Sequence, residues 1–421
     1  MRISTNEFLL GSLSDLLAQQ QNVNKLNREI ATGQTLLSPT DDPGAAGQVV
    51  GLANQIGQLA YDTANGQAAT QTLQNGVGAL QQVTNLLAQL RQSAVAVANG
   101  GSNATQRQSA VASAQSTLQQ LIQLANTQGP TGGYLFAGSK SNAPAFSASP
   151  SGQVLFGGDA ASNAVQIAPS LNVASTISGQ NIFMNIPAGT GGVAVSASGV
   201  NTGNAYAYAL AGGVTSLAQV TAASLAGTQY DISFSGSGSS LTYTVTSGTG
   251  TPGSPGYTAS SGVVASGSYA PGADIAFAGI DIQVHGTPAA GDSFAVQPGA
   301  SSSLFQTVQN LISALQMPQG TGAQTTLAQQ ALQNVLVNLG GAQTSVLSAQ
   351  ATLGTSLAEI QSVQALTSGQ STNAAAQMSN LQSADLPQVL ANYSESLTAL
   401  QAAQLAFAKV QGLTLFADIS P

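Results

Sequence analysis

The chain contains neither cysteine nor tryptophan among its 421 residues. The absence of cysteine excludes disulfide bonds, thiolate metal sites and thiol nucleophiles. A large protein that works outside the cell without disulfides fits a route in which the chain travels unfolded. The sequence therefore favours proteins whose stability comes from packing alone.

Charged residues are also scarce. Only 5% of the residues are charged, against roughly a quarter in an ordinary soluble domain. Seven residues are basic, and no lysine or arginine occurs between Lys140 and Lys409. Nucleic acid and anionic membrane surfaces are bound by clusters of basic residues, so neither is expected as a partner. A surface of uncharged polar residues can instead be buried against another subunit without stranding a charge.

Long apolar runs are also missing. The first residues contain no unbroken apolar stretch of the roughly 7–15 residues that a secretory signal needs. No window approaches the roughly 18 apolar residues of a membrane span. We therefore expect no membrane insertion and, if the protein is exported, export without a cleavable signal peptide. With 43% hydrophobic residues, the chain can still form the cores of two or three domains.

Apolar residues recur at three- and four-residue intervals before about residue 128 and again after about residue 302. A period near 3.5 is typical of amphipathic helices in a bundle or coiled coil. The two terminal helices have no partner nearby in sequence, so we expect their apolar stripes to pack against each other. The predicted assembly seam comprises Leu9, Leu13, Leu16, Val23, Ile30, Leu390, Tyr393, Leu397, Leu400, Phe407 and Val410.

The middle of the chain, from about 133 to 300, is rich in glycine, serine and threonine and alternates with a period of two. This pattern predicts an antiparallel β domain inserted between helices. Residues 133–138 and 154–157 are predicted to be the arms of a hairpin. Further predicted strands cover residues 230–234, 241–245, 280–284 and 293–296.

Candidate chemistry is sparse. His285 is the only histidine, and with no second histidine and no cysteine it is interpreted as a surface residue at a strand end. Asp42 is predicted to cap a helix that begins at Pro43, although Asp41 and Asp42 could also form a paired-carboxylate site. The carboxylates Asp274, Asp281 and Asp292 could suggest a calcium site, but they lack the alternate-residue spacing of a compact calcium loop and are assigned to solubility. We expect no enzyme activity, no metal and no cofactor.

Several segments carry a family likeness. They are residues 1–5 (MRIST), 29–33 (EIATG), 39–46 (PTDDPGAA), 133–140 (GYLFAGSK), 394–402 (SESLTALQA) and 413–416 (LTLF). Together they resemble the flagellin superfamily of bacterial flagella, and within it the hook-associated proteins of the junction between hook and filament.

The resemblance implies an α+β fold in which both termini form a long antiparallel helical coiled coil, with a β-hairpin and an inserted antiparallel β domain. Residues 1–40 and 385–421 would be the terminal assembly domain. Residues 41–176 and 302–384 would form a helical rod with a hairpin at about 133–157, and residues 177–301 an outer β-rich domain.

The same resemblance implies an extracellular structural subunit, exported through the flagellar type III channel and assembled with itself into a ring. Its expected partners are the first hook-associated protein on one side and flagellin with the filament cap on the other. A cytoplasmic export chaperone is expected to cover the apolar stripe from Leu390 to Leu415.

Alternatives remain open at this point. A divergent flagellin would share the helical ends, and a surface adhesin rich in glycine, serine and threonine would share the middle. In flagellins, an arginine on the first long helix contacts an innate immune receptor, and Arg91 occupies a comparable place. The favoured interpretation of Arg91 is an ordinary solvated helix residue.

Overall fold

The computed structural model describes residues 5–98, 103–130, 132–150, 152–169, 171–174, 176–250 and 258–417. The predicted turn at 99–102 lies outside these residues. Seven α-helices are described: α1 (Thr5–Thr32), α2 (Pro43–Ala98), α3 (Ala104–Ala125), α4 (Leu217–Leu225), α5 (Leu304–Gln316), α6 (Gly322–Gln382) and α7 (Leu386–Ala417). A short π-helical segment covers Gln180–Met184, and a 3₁₀ turn covers Gly238–Ser240.

Fourteen strands lie between the helical ends of the described chain. They are β1 (Phe146–Ala148), β2 (Val154–Phe156), β3 (Ala164–Ala168), β4 (Leu171–Ala174), β5 (Ile186–Pro187), β6 (Val193–Ala197), β7 (Asn204–Val214), β8 (Thr228–Ser235), β9 (Thr242–Thr249), β10 (Thr258–Ser268), β11 (Asp274–Phe277), β12 (Ile280–Thr287), β13 (Ser293–Pro298) and β14 (Ser301–Ser302). The order of helices, antiparallel strands and helices confirms the predicted fold class.

The chain divides into two compact units. One contains residues 1–64 and 363–421, and the other contains residues 65–362. The long helices α2 and α6 each contribute residues to both units. The finer division into terminal, rod and outer parts stays a prediction.

Within the unit of residues 65–362, α2 buries residues at alternating intervals of three and four. Helix α6 does the same from Leu332 to Val346 and then buries every seventh residue as far as Ile360. This spacing is the heptad pattern of coiled coils, so the predicted period was correct for these helices. The buried residues are Leu73, Gly76, Leu80, Val83, Leu87, Leu90 and Ala94 on α2, and Leu332, Val335, Leu339, Ala342, Val346, Leu353 and Ile360 on α6.

The eight central strands form a β-sandwich. One sheet has the strand order β10-β9-β8-β13-β6 and the other has the order β11-β12-β7, and all pairs are antiparallel. Alternate residues of each strand enter one shared core, as in Tyr230, Ile232 and Phe234 on β8. The short helix α4 adds Val220 and Ala223 to this core. The four strands predicted from residues 230–234, 241–245, 280–284 and 293–296 correspond to β8, β9, β12 and β13.

The predicted first arm of the hairpin is wrong. The hairpin pairs β1 with β2, so that Phe146 lies opposite Phe156, and residues 133–138 form neither strand. The backbone of 133–138 hydrogen-bonds elsewhere: the Leu135 N–H donates to the Thr127 carbonyl, and the Ile177 N–H donates to the Leu135 carbonyl.

An aromatic cluster explains why residues 133–138 are buried and do not form a strand. The Phe136 and Phe183 rings lie 5.4 Å apart, and Phe146 lies 5.4 Å from Phe183 and 5.2 Å from Phe305. Phe136, Phe146, Phe183 and Phe305 are all almost completely buried. Burial of these rings outweighs the strand-like alternation of the local sequence, because an aromatic side chain contributes a large apolar area.

Asp292 also departs from its prediction. The side chain is 2% exposed and is therefore not a solubilising surface residue. Its carboxylate accepts hydrogen bonds from the backbone N–H groups of Thr202 (2.8 Å), Gly203 (3.0 Å) and Ala289 (2.8 Å). These bonds offset the cost of burying the charge and tie the loop before β7 to the turn before β13.

We predict that Asp292→Asn destabilises the β-sandwich by about 2–3 kcal/mol, because an amide cannot accept from all three donors and leaves a buried N–H unpaired. Differential scanning calorimetry would measure the loss as a lower midpoint of unfolding. Asp281→Asn is the matched control, since Asp281 lies half-exposed on β12 and should leave the midpoint within the experimental error. An unchanged midpoint in Asp292→Asn would contradict the assigned role.

Candidate functional site

The two chain termini pair in the unit of residues 1–64 and 363–421, where α1 contacts α7. The covered positions on both helices follow intervals of three and four residues, which is the a and d pattern of a coiled coil. They are the buried or half-buried residues Ser12, Leu16, Gln19, Val23, Leu26 and Ile30 on α1, and Val389, Tyr393, Ser396, Leu400, Ala403 and Phe407 on α7. We call these twelve residues the inner seam.

A second set of apolar residues on the same helices is open to solvent. On α1 the exposed fractions are 62% for Leu10 and 50% for Leu17, and on α7 they are 51% for Leu390 and 68% for Leu405. Leu13 and Leu397 are also exposed. We call these six leucines the outer stripe.

The residues predicted as one assembly seam thus lie on two surfaces. Leu16, Val23, Ile30, Tyr393, Leu400 and Phe407 belong to the inner seam, whereas Leu13, Leu390 and Leu397 belong to the outer stripe. The side chains of Leu9 and Val410 lie outside the described residues. The prediction missed Val389, which is 6% exposed, because the heptad partners that follow it are the small residues Ser396 and Ala403.

Polar contacts fix how the two helices are aligned. The Gln19 side-chain amide donates to the Ser396 carbonyl at 3.2 Å, and the Asn22 amide donates to the Ser396 hydroxyl at 3.3 Å. A polar residue at a single seam position specifies the register of a coiled coil, because any shift leaves its hydrogen bonds unmade. The leucines alone would tolerate a slip by one heptad.

The connections that follow α1 and precede α7 also pair with each other. The Thr35 N–H donates to the Gln382 carbonyl, and the Ala384 N–H donates to the Gly33 carbonyl, at 2.8 and 2.9 Å. Gly33 adopts a φ of 68°, a left-handed conformation that favours glycine, and α1 ends at the residue before it. Both chain segments are thus held side by side where the terminal helices meet α2 and α6.

The two aspartates after α1 have different roles. The Asp42 carboxylate accepts from the Ala45 N–H at 2.9 Å, and α2 begins at Pro43. Asp41 accepts from the N–H groups of Ser38 and Leu37 and lies 3.5 Å from the Lys25 ammonium. The pair of carboxylates therefore caps a helix and closes a loop.

The hydrogen bond from the Ser38 backbone and the nearby Lys25 charge lower the pKa of Asp41 below its usual value of 3.8. A carboxyl whose pKa is lower in the folded state stabilises the fold at pH values above the unfolded pKa. That contribution is lost as the pH falls through the folded pKa.

The described residues outside this pair of helices offer little chemistry. His285 lies on β12 with its ring stacked 5.3 Å from Tyr206 and 5.4 Å from Tyr208, and its Nε2 hydrogen-bonds the Tyr208 hydroxyl at 2.9 Å. Within the described ranges, no group of three or more histidine, aspartate or glutamate side chains could hold a metal ion. None of the described helices combines the length and the apolar character of a membrane span.

Known proteins resemble parts of this chain in sequence. The family model of the bacterial flagellin N-terminal helical region matches residues 3–141, about a third of the chain. Flagellar hook-associated protein 3 of Escherichia coli (strain K12) is 35% identical over 124 residues, which is 28% of this chain and 39% of the relative. The protein of the same name from Salmonella typhimurium is 32% identical over 124 residues. The chain thus matches about two fifths of the length of these curated relatives.

Solved structures extend the likeness to most of the chain. Flagellar hook-associated protein 3 of Legionella pneumophila has a TM-score of 0.69 at 28% identity, over 78% of this chain and 98% of the other. The flagellar junction protein FlgL of the same organism has a TM-score of 0.66 over 80% and 100%. FlgL of Xanthomonas campestris has a TM-score of 0.63 at 26% identity, over 75% and 98%. These matches confirm the predicted resemblance to hook–filament junction proteins.

We predict that Leu400→Asp destabilises the pairing of α1 with α7 by several kcal/mol, because it buries an unpaired carboxylate in the inner seam. Leu13→Asp should change the stability of the free subunit by less than about 0.5 kcal/mol, since Leu13 is 42% exposed. Limited proteolysis of the monomer measures the difference: the termini of Leu400→Asp should be cut faster than those of wild type, and the termini of Leu13→Asp at the wild-type rate. Equal resistance of both variants would argue against the inner seam.

Proposed function

We propose that this protein is a structural component of the bacterial flagellum that forms the junction between hook and filament and serves as the platform for filament growth. The observation that carries the proposal is the fold match to solved junction proteins, which covers 98–100% of those chains and 78–80% of this one. The flagellin-type helical region at the N-terminus supports the same class. In this role the chain is a subunit of the axial structure and performs no catalysis.

The two surfaces of the terminal helices suggest how such a subunit would assemble. The inner seam is covered within one chain, which leaves the outer stripe for neighbouring copies. Burial of that stripe would contribute roughly 25 cal/mol per Å² of apolar area. Helix α7 carries two charged residues of opposite sign and α1 carries five, three acidic and two basic, so the net charge of the pair is small and neighbouring copies can approach without strong repulsion. A ring of identical copies needs such contacts around its whole circumference.

The ends of the ring would contact different proteins, which we propose are the first hook-associated protein on one side and flagellin with the filament cap on the other. Export would proceed through the flagellar type III channel. An unfolded chain on that route exposes the apolar stripe from Leu390 to Leu415, and a cytoplasmic chaperone that covers this stripe would prevent its aggregation.

Deletion of the gene should give cells with hooks but without filaments, with flagellin released into the medium. Complementation by wild type or by Leu13→Met should restore filaments, because both keep an apolar side chain in the outer stripe. Leu13→Asp should fail to restore them, since a carboxylate there cannot be buried against a neighbour. Electron microscopy of the cells provides the measurement. Normal filaments on the deletion strain would refute the proposal.

A divergent flagellin is the second candidate, because the matching family model describes the flagellin N-terminal region. Immunogold labelling of intact cells distinguishes the two functions. A junction protein gives one narrow band between hook and filament, whereas a flagellin gives label along the filament.

The chaperone proposal predicts that a pull-down with the full chain retains a cytoplasmic partner and that deletion of the residues after Pro387 abolishes its binding. The physical reason is that α7 carries the largest part of the apolar surface assigned to the chaperone. Deletion of residues 1–32 is the matched control and should preserve binding. Unchanged binding after removal of the C-terminal segment would contradict the proposal.

A further inference from the structure

The β-sandwich has four edge strands. They are β10 and β6 in the five-stranded sheet, and β11 and β7 in the three-stranded sheet. An edge strand presents unpaired backbone N–H and C=O groups that can pair with another chain. A protein whose folded copies meet in solution must therefore prevent its edges from pairing with each other.

The edge of β7 is closed by a side chain from α6. The Gln330 side chain accepts from the Ala207 N–H at 2.6 Å and donates to the Ala207 carbonyl at 2.6 Å. Ala207 lies opposite Val284 of β12 but directs these two groups away from that strand. The primary amide thus supplies one donor and one acceptor, as a residue of an added strand would do. Gln330 is only 3% exposed, so water does not compete for these bonds.

The next amides along α6 continue the contact. Gln330 also donates to the Asn334 side-chain carbonyl at 3.0 Å, and Asn334 donates to the Val195 carbonyl on β6 at 2.7 Å. Asn338 accepts from the Gly189 N–H, in the loop before β6, at 2.6 Å. The three side chains are four residues apart and therefore lie on one face of the helix. They contact the edges of both sheets where β6 and β7 meet.

The other two edge strands, β10 and β11, are protected from pairing in different ways. The pairing of β10 with β9 shifts register twice, between Ala259 and Val263 and between Val263 and Ala265. Such bulges interrupt the flat row of backbone groups that an incoming strand needs. The edge strand β11 has only four residues. Strand β7 has one register shift, opposite Ile280 and Ile282 of β12, but its pairing from Asn204 to Ala209 is regular, as is the pairing of β6 with β13. These regular stretches lack such protection on the side that faces α6.

We propose that Gln330, Asn334 and Asn338 act together as a surrogate strand, which fixes the β-sandwich on α6 and closes the edges of β6 and β7 against a second copy of this chain. They are positioning residues: each acts through the backbone groups that it holds. The proposal concerns the folded subunit and does not depend on the proposed flagellar function.

Hydrogen exchange of the full-length protein tests the proposal, with mass spectrometry of the peptide that contains β7. Gln330→Leu keeps the side-chain size but makes no hydrogen bond, so exchange of the Ala207 amide should become about tenfold faster. Sedimentation velocity of the same variant should show association that grows with concentration. Gln333→Leu is the matched control on the same helix, because the described contacts include no hydrogen bond from Gln333 to a strand. Its exchange and sedimentation should match those of wild type.

Gln330→Glu gives a signature that a purely packing role would not produce. Ionised glutamate can accept from the Ala207 N–H but cannot donate to the Ala207 carbonyl or to Asn334. Protonated glutamate regains one donor, so protection of β7, corrected for intrinsic exchange, should recover as the pH is lowered. Because this variant preserves the side-chain shape, it still tests the role of the Gln330 hydrogen bonds if Gln330→Leu does not fold. Wild-type protection in Gln330→Leu, or no recovery in Gln330→Glu, would overturn the proposal.

Discussion

Pairing of the two chain ends is the contact on which the arrangement of the remaining elements depends. The hydrogen bond between Gln19 and Ser396 joins residues separated by 377 positions. Closing so large a loop costs conformational entropy, although this cost grows only slowly with length, and the apolar contacts of the inner seam must offset it. The paired backbones of 33–35 and 382–384 then deliver α1 and α7 to each other.

With few charged residues available, uncharged amides make the side-chain contacts that align the elements. Apolar heptads allow helices to associate but do not fix their register. Ion pairs are too few to fix it, because both salt bridges among the described residues involve Lys25. Amide side chains take over this role. Gln19 aligns α1 with α7, and Gln330 aligns α6 with β7. Such neutral groups cost less to desolvate than ions, so they can be placed where surfaces become buried.

The periodicity of the sequence predicted the structural features that local sequence determines. The helical stripes, the strands β8, β9, β12 and β13, and the α2 boundary at Pro43 follow from spacing and capping. It did not predict features decided by distant contacts. Residues 133–138 alternate like a strand, yet burial of Phe136 draws them into an aromatic cluster. Asp292 resembles a surface carboxylate, and only the converging N–H groups of distant loops make it a buried residue. The sequence also contains no sign that the side-chain amides of α6 contact the sheet edges, because those contacts form only in the tertiary structure.

The division of the terminal stripes into two surfaces separates folding from assembly. Residues of the inner seam are satisfied inside one chain, so their loss weakens the subunit itself. Residues of the outer stripe contribute little to the free subunit, because Leu10, Leu17 and Leu405 remain at least half exposed. Their apolar surface gains free energy only when another molecule covers it. A single helix can therefore carry both functions, since a heptad assigns its inner and outer positions to different partners.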